Sequence, residues 1–191
     1  VALKLVTLSN LSQVTTGVIV VASIAYFAIM LRSAKVTDPE KVRVRAFIPL
    51  FIANAVFWSL FQQIFTVLAV YSDERMDWSI FGWVAPSSWI GSIEPVWIIV
   101  LSPLFALMWT RLGNRAPTTP RKFAYGVIGM GLAFLCFIPL AGIAKVPALL
   151  VMVILGVFAV SELLLSPIGL SVTTKLAPDA FRAQMMALYF F

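Results

Sequence analysis

The 191-residue chain is 61% hydrophobic and 12% charged, with a mean hydropathy of +1.00, well above the roughly 45–50% apolar content of soluble domains. That much apolar surface has no hiding place in a water-soluble core, so the chain reads as an integral membrane protein. Its formal charge of +6 would suit a nucleic acid, but the basic residues punctuate apolar segments instead of gathering on one solvated face, which excludes that partner.

Taken in order, the apolar runs predict spans near 14–31, 47–71, 93–109, 123–143 and 146–171, with a further run opening near 180 and broken off at the C-terminus. The runs are continuous, not alternating, so they are spanning helices and not the strands of a barrel. The fold class expected is all-α, a polytopic transmembrane helical bundle. The start at VALKLV and the end at ALYFF read as those of a fragment, and the first run lacks the features of a signal peptide. Cys136, the single cysteine, excludes an internal disulfide and reads as a small packing residue. With no histidine, no metal set or cofactor is expected.

Orientation follows from the connections. Arg32, Lys35, Lys41, Arg43 and Arg45, then Arg111, Arg115, Arg121 and Lys122, then Lys175 and Arg182 fall on one side; Lys4, Arg75 and Lys145 fall on the other. The richer side is cytoplasmic by the positive-inside rule. Within TDPEK, Asp38 is a candidate cap and Pro39 a first helical residue; in NRAPTTPRK the same roles fall to Thr119 and Pro120. The stretch 72–90 carries three carboxylates with Trp78, Trp83 and Trp89. It reads as a short interfacial helix or loop bearing an aromatic belt.

Six of the eight acidic residues lie in connections or at interfaces; Glu94 and Glu162 do not. Glu94, before Pro95 at the outer end of its span, suits a first-turn carboxylate favoured by the helix N-terminus. Glu162 lies deep in the fifth span, where a carboxylate costs about 2.5–3.5 kcal/mol on insertion scales, so it needs a partner, a water-filled cavity or a proton. Ser166 shares its face at i+4, and Pro167 and Gly169 make that face deformable. In the second span Asn54, Trp58 and Gln62 recur every four residues as one stripe, with Ser59 and Gln63 beside it. Such a stripe lines a hydrated cavity or, alternatively, glues helices by hydrogen bonds. No nucleophile has a base beside it and no Gly-rich loop precedes a helix, so no enzyme site is read.

ELLLSPIGLSVTTKLAP from Glu162, followed by FRAQMMALYFF from Phe181, resembles the tenth-helix signature and eleventh-helix start of the proton-dependent oligopeptide transporter family of the major facilitator superfamily. FWSLFQQ at 57–63 resembles its seventh helix and SIEPVWIIVLSPLFALMW at 92–109 its eighth. The resemblance covers essentially the whole chain. It implies a partial C-terminal six-helix bundle over 46–191 (helices seven to ten and the start of eleven), preceded over 1–45 by an inter-bundle linker with one inserted hairpin helix. It further implies symport of di- and tripeptides with protons by alternating access, in a multi-pass protein of the bacterial inner (plasma) membrane. The N-terminal bundle would be supplied by missing residues, and no nucleic acid would be involved.

Carried over, Glu162 matches the tenth-helix glutamate that pairs with a fourth-helix lysine and the peptide amino terminus. Trp58 matches an aromatic lining the site, Ser166 a hydroxyl near the glutamate, and Pro167 and Gly169 the bending inner half of helix ten. Asn54 joins the substrate-facing stripe. The chain departs from the family pattern twice. Gln62 stands where a carboxylate tied to proton-coupled gating is usual, and Glu94 where asparagine precedes the proline. Either Glu94 takes over the amino-terminus contact, or the protein couples or selects differently. The other readings are the same fold carrying nitrate or another small solute, and a non-transporting membrane scaffold.

Overall fold

The computed structural model describes residues 10–190. Helix α1 spans Leu11–Arg32, α2 Asp38–Phe61 and α3 Val67–Arg75, with a 3-10 turn Gln62–Phe65 joining the last two. Helix α4 spans Ile90–Leu112, α5 Thr119–Leu135, α6 Ala148–Leu176 and α7 Arg182–Tyr189. Among the described residues five helical stretches, 11–32, 38–75, 87–115, 119–140 and 148–176, are long and apolar enough to cross a bilayer, in agreement with the hydropathy reading. Lys4, assigned above to the outer side, lies outside the described residues.

The described residues form two compact units, one of those up to residue 51 with those from residue 170, and the other of residues 52–169. In the first, Phe27 and Met30 of α1 meet Val44 and Phe47 of α2, together with Ala177, Met185 and Leu188. Phe27 stands edge-on to Phe51 at 5.3 Å between ring centroids, a favoured aromatic geometry. The start of α2 carries the carboxylate half of a capping box: Glu40 Oε2 accepts from the Thr37 amide at 2.8 Å and the Thr37 hydroxyl at 2.7 Å. Glu40 Oε1 meanwhile accepts the Asp179 amide at 3.0 Å, tying the chain before α7 to the head of α2. The capping residue is therefore Thr37, one position before the expected Asp38, because Pro39 occupies the first turn and Asp38 is already helical. In the same way Thr118, not Thr119, precedes α5.

In the second unit the 72–90 stretch departs from a simple interfacial helix. Helix α3 runs to Arg75, and β1 (Met76–Asp77) pairs in parallel with β4 (Val146–Pro147). β2 (Ser79–Ile80) and β3 (Trp83–Val84) form a tight hairpin. Its two turn residues, Phe81 and Gly82, have φ of 49° and 84°, the left-handed pair that a two-residue hairpin turn requires. Trp83 and Trp89 remain half-exposed, their ring centroids 5.2 Å apart. Trp78 does not belong to that belt: it is 6% exposed and its indole donates to the Ser72 carbonyl at 3.2 Å.

Arg75 clasps this end of the unit. Its Nη2 donates to the carbonyls of Ala141 and Ile143, both at 3.0 Å, and Lys145 Nζ donates to the Glu74 carbonyl at 3.0 Å. The first two carbonyls lie in the connection after α5, and that of Glu74 lies in the last turn of α3, where helix carbonyls lack an intrahelical donor. Arg75→Ala is expected to lower the unfolding free energy of the complete protein by about 1 kcal/mol per lost bond, read as a lower thermal midpoint, with Arg75→Lys recovering part.

Candidate functional site

Helix α6 is held on two sides by close contacts made possible by glycine. On the α5 side, a Cβ added at Gly126 would lie 2.9 Å from the Ser161 carbonyl oxygen, and one at Gly129 only 2.5 Å from the Ser161 hydroxyl. Ser161 is 1% exposed, and its hydroxyl donates to the Val157 carbonyl at 2.8 Å. On the α4 side, the Trp97 ring covers Gly156, where a Cβ would sit 3.2 Å from the indole, and Trp97 Nε1 donates to the Met152 carbonyl at 2.8 Å. Small residues at such crossings let backbones approach. None of these positions was singled out from the sequence, although the Gly126-x-x-Gly129 spacing was there to be read.

Those contacts bracket the acidic pair. Glu94 is 4% exposed and its carboxyl is within hydrogen-bonding reach of the Glu162 carboxyl; its Oε1 has no hydrogen-bond partner. Glu94 is not the first-turn carboxylate that the sequence suggests. A 3-10 turn at Ser87–Trp89 leads into α4 at Ile90, so Glu94 and Pro95 lie inside the helix, past the amides of its first turn, and the carboxyl is buried among side chains. Glu162 does meet a partner, which among the described residues is a second carboxyl and not a cation.

Along α6, Ser166 is partly buried and Gly169 buried. Pro167 sits inside a helix that continues to Leu176; lacking an amide hydrogen, it leaves the Leu163 carbonyl without its helical donor, a local weak point. In α2, Trp58 Nε1 donates to Asn54 Oδ1 at 3.1 Å, and Asn54 is 5% exposed. Trp58 packs edge-on to Phe57 and Phe61, at 5.5 and 5.2 Å between centroids. The regular stripe ends there. Gln62 opens the 3-10 turn and is exposed, and Gln63 donates back to the Ser59 carbonyl at 3.1 Å, so the two amides do not continue the environment of Asn54. Chemically, the unit offers an acceptor-rich pair, one carboxyl buried and one half-buried, suited to a proton and a cation, with an indole–amide couple on a separate helix.

Residues 4–191 match the family model described as "PTR2: POT family". The chain is 45% identical over 171 residues to the uncharacterized transporter YclF of Bacillus subtilis (strain 168), covering 87% of this chain and 35% of that protein. It is 37% identical over 192 residues to a di-/tripeptide transporter of Lactococcus lactis subsp. cremoris, covering 96% of this chain and 38% of that one. Among solved structures, a mutant of the peptide transporter POT in complex with alafosfalin superposes with a TM-score of 0.92 at 42% identity, covering 99% of this chain and 40% of that one. The chain thus spans well under half the length of each of these relatives.

Proposed function

We propose, on the premise that this chain belongs to the POT family, that the whole protein carrying it moves di- and tripeptides across the bacterial inner membrane together with protons, by alternating access. The chain is that of a multi-pass integral membrane protein. In this reading residues 1–45 are a linker with an inserted hairpin helix and residues 46–191 belong to the C-terminal bundle. The ends rich in Lys and Arg face the cytoplasm, and the cargo sits between this bundle and one supplied by the rest of the protein.

The observation that carries the reading is the meeting of two carboxyls inside two apolar helices, Glu94 buried and Glu162 half-buried. Intramembrane carboxyls are costly and mark pathways for protons and charged solutes. A peptide's ammonium end is the complement of such a site, and an anion such as nitrate is not. Glu162 meets the ammonium group; Ser166 stands beside it; Trp58 and Asn54 face the cargo; Pro167 and Gly169 let α6 bend when the cytoplasmic gate closes. Gln62, an amide, takes part in gating without carrying a proton.

The test is dipeptide uptake by the complete protein in liposomes under an inward proton gradient. Accumulation that collapses when the gradient is dissipated supports the proposal, and a well-folded protein that accumulates no dipeptide sinks it.

A further inference from the structure

The tail of α6 is packed into the first compact unit from several sides. Leu176 at its end and Ala177 just after it lie in one cluster with Phe27 and Met30 of α1, Val44 and Phe47 of α2, and Met185 and Leu188 of α7. Met30, Val44, Met185 and Leu188 are fully buried, so displacing the tail by itself would open a gap among close-packed side chains and forfeit their dispersion contacts. A polar bond closes the rim of the same cluster. Glu40 Oε1 accepts the Asp179 amide at 3.0 Å while Oε2 stays on Thr37, and the Asp179 carboxylate pairs with Arg182 at the start of α7. One carboxylate thus joins the head of α2 to the α6–α7 connection, 139 residues away in sequence. The chain leaves this unit within α2, after residue 51, and returns to it within α6, at residue 170. Each helix carries a proline close to that point, Pro49 and Pro167. Pro49 leaves the Arg45 carbonyl without its helical donor, as Pro167 does that of Leu163, so α2 has a yielding point of its own.

We infer that α1, the head of α2, the tail of α6 and α7 move as one block when the gate closes, hinged at Pro49 as well as at Pro167, with Glu40 the latch at the rim of the block. The inference rests on the reading that α6 bends at Pro167 during alternating access. Bending α6 alone would part the cluster and break the Glu40–Asp179 bond; bending both helices at their prolines keeps every one of these contacts and flexes each helix where a hydrogen bond is already missing. Helix α1 thereby has a mechanical part. Its Phe27 and Met30 fill the core of the block, so it travels with the tail of α6.

The experiment sets pairs of spin labels on cysteines introduced into the complete protein, in a background otherwise free of cysteine, and reads distances in nanodiscs by double electron–electron resonance with and without dialanine. All six labelled positions are exposed. Two pairs lie within the block, Ile29 with Lys175 and Arg43 with Gln184; Leu150 with Lys175 runs along α6 past Pro167, and Arg43 with Val56 along α2 past Pro49. The α6 and α2 pairs are expected to change together while both block pairs keep their resting distributions. A block pair that shifts with the α6 pair overturns the inference, as does an α6 pair that shifts while the α2 pair stays fixed. Glu40→Ala is expected to broaden the Arg43–Gln184 distribution and to lower the maximal rate of dialanine uptake about threefold, the effect of one modest hydrogen bond, at an unchanged half-saturating concentration. Glu40→Gln, which keeps an acceptor for the Asp179 amide, should stay close to the wild type. A Glu40→Ala protein with a lowered thermal midpoint but the wild-type distribution overturns the latch. Uptake of dialanine with the α6 pair fixed overturns the bend and the block together, whereas joint shifts in α2 and α6 without uptake of dialanine defeat the peptide reading alone.

Discussion

Gradient-driven dipeptide uptake by the complete protein is expected to fall by at least about 30-fold in Glu162→Gln, the equivalent of roughly 2 kcal/mol or more lost when one partner of a buried charged contact is removed. The substitution keeps size, shape and a hydrogen-bonding end, so what it removes is the carboxylate itself. Glutamine can donate to the Glu94 carboxyl, so the fold has no reason to fail, and the thermal midpoint should stay close to that of the wild type. Uptake by initial rate and unfolding by differential scanning are therefore read on the same preparation. Lost uptake with retained folding places Glu162 in the transport cycle. Unaltered uptake with a lowered midpoint would mean that the pair only holds helices together, as a scaffold would require.

The second large effect is expected at Gly129, where the chemistry is purely steric. A Cβ there would lie 2.5 Å from the Ser161 hydroxyl, a separation that real Cβ atoms do not tolerate, and Ser161 has no room to retreat because it is fully buried and bonded to the Val157 carbonyl. Gly129→Leu forces α5 and α6 apart and should destabilise by about 1–3 kcal/mol. Ser161 precedes Glu162, so uptake should fall with stability. Gly131, on the same helix, has nothing within 4 Å of an added Cβ, and Gly131→Ala should be neutral or stabilising by up to about 1 kcal/mol through helix propensity. The clash is specific if Ser161→Ala, which removes the hydroxyl and keeps the Cβ at 3.5 Å, restores the Gly129→Ala protein but adds nothing to the wild type. Equal effects at Gly129 and Gly131 would refute the close crossing.

How much of this was legible beforehand can be judged residue by residue. The spans were visible because a helix in a bilayer must satisfy its own backbone and show apolar side chains all round; α1, α4 and α6 start and stop within about five residues of the apolar runs, whereas α5 gives way after Leu135 to a 3-10 turn still inside its run. Glu162 stood out for the same reason, a carboxylate in a region that penalises one. Glu94 was misplaced because Pro95 resembles a helix start, and only the earlier turn at Ser87–Trp89 puts both residues inside α4. Trp78 was read as part of a belt because tryptophans at a span end usually are, yet its indole found the Ser72 carbonyl. Gln62 was drawn into the stripe of Asn54 and Trp58 by a spacing of four that the change to a 3-10 turn interrupts.

By itself, then, the sequence determined that this chain crosses a membrane repeatedly, where its helices run, and that an acidic group sits in their midst, because hydropathy and charge penalties act on each residue locally and independently of its neighbours in space. Only the tertiary structure decided that the partner of Glu162 is Glu94, and that Gly126, Gly129 and Gly156 set how closely α5 and α4 approach α6. Those facts depend on contacts across dozens of residues, where tenths of an ångström between a missing Cβ and a neighbouring atom decide whether two helices can meet.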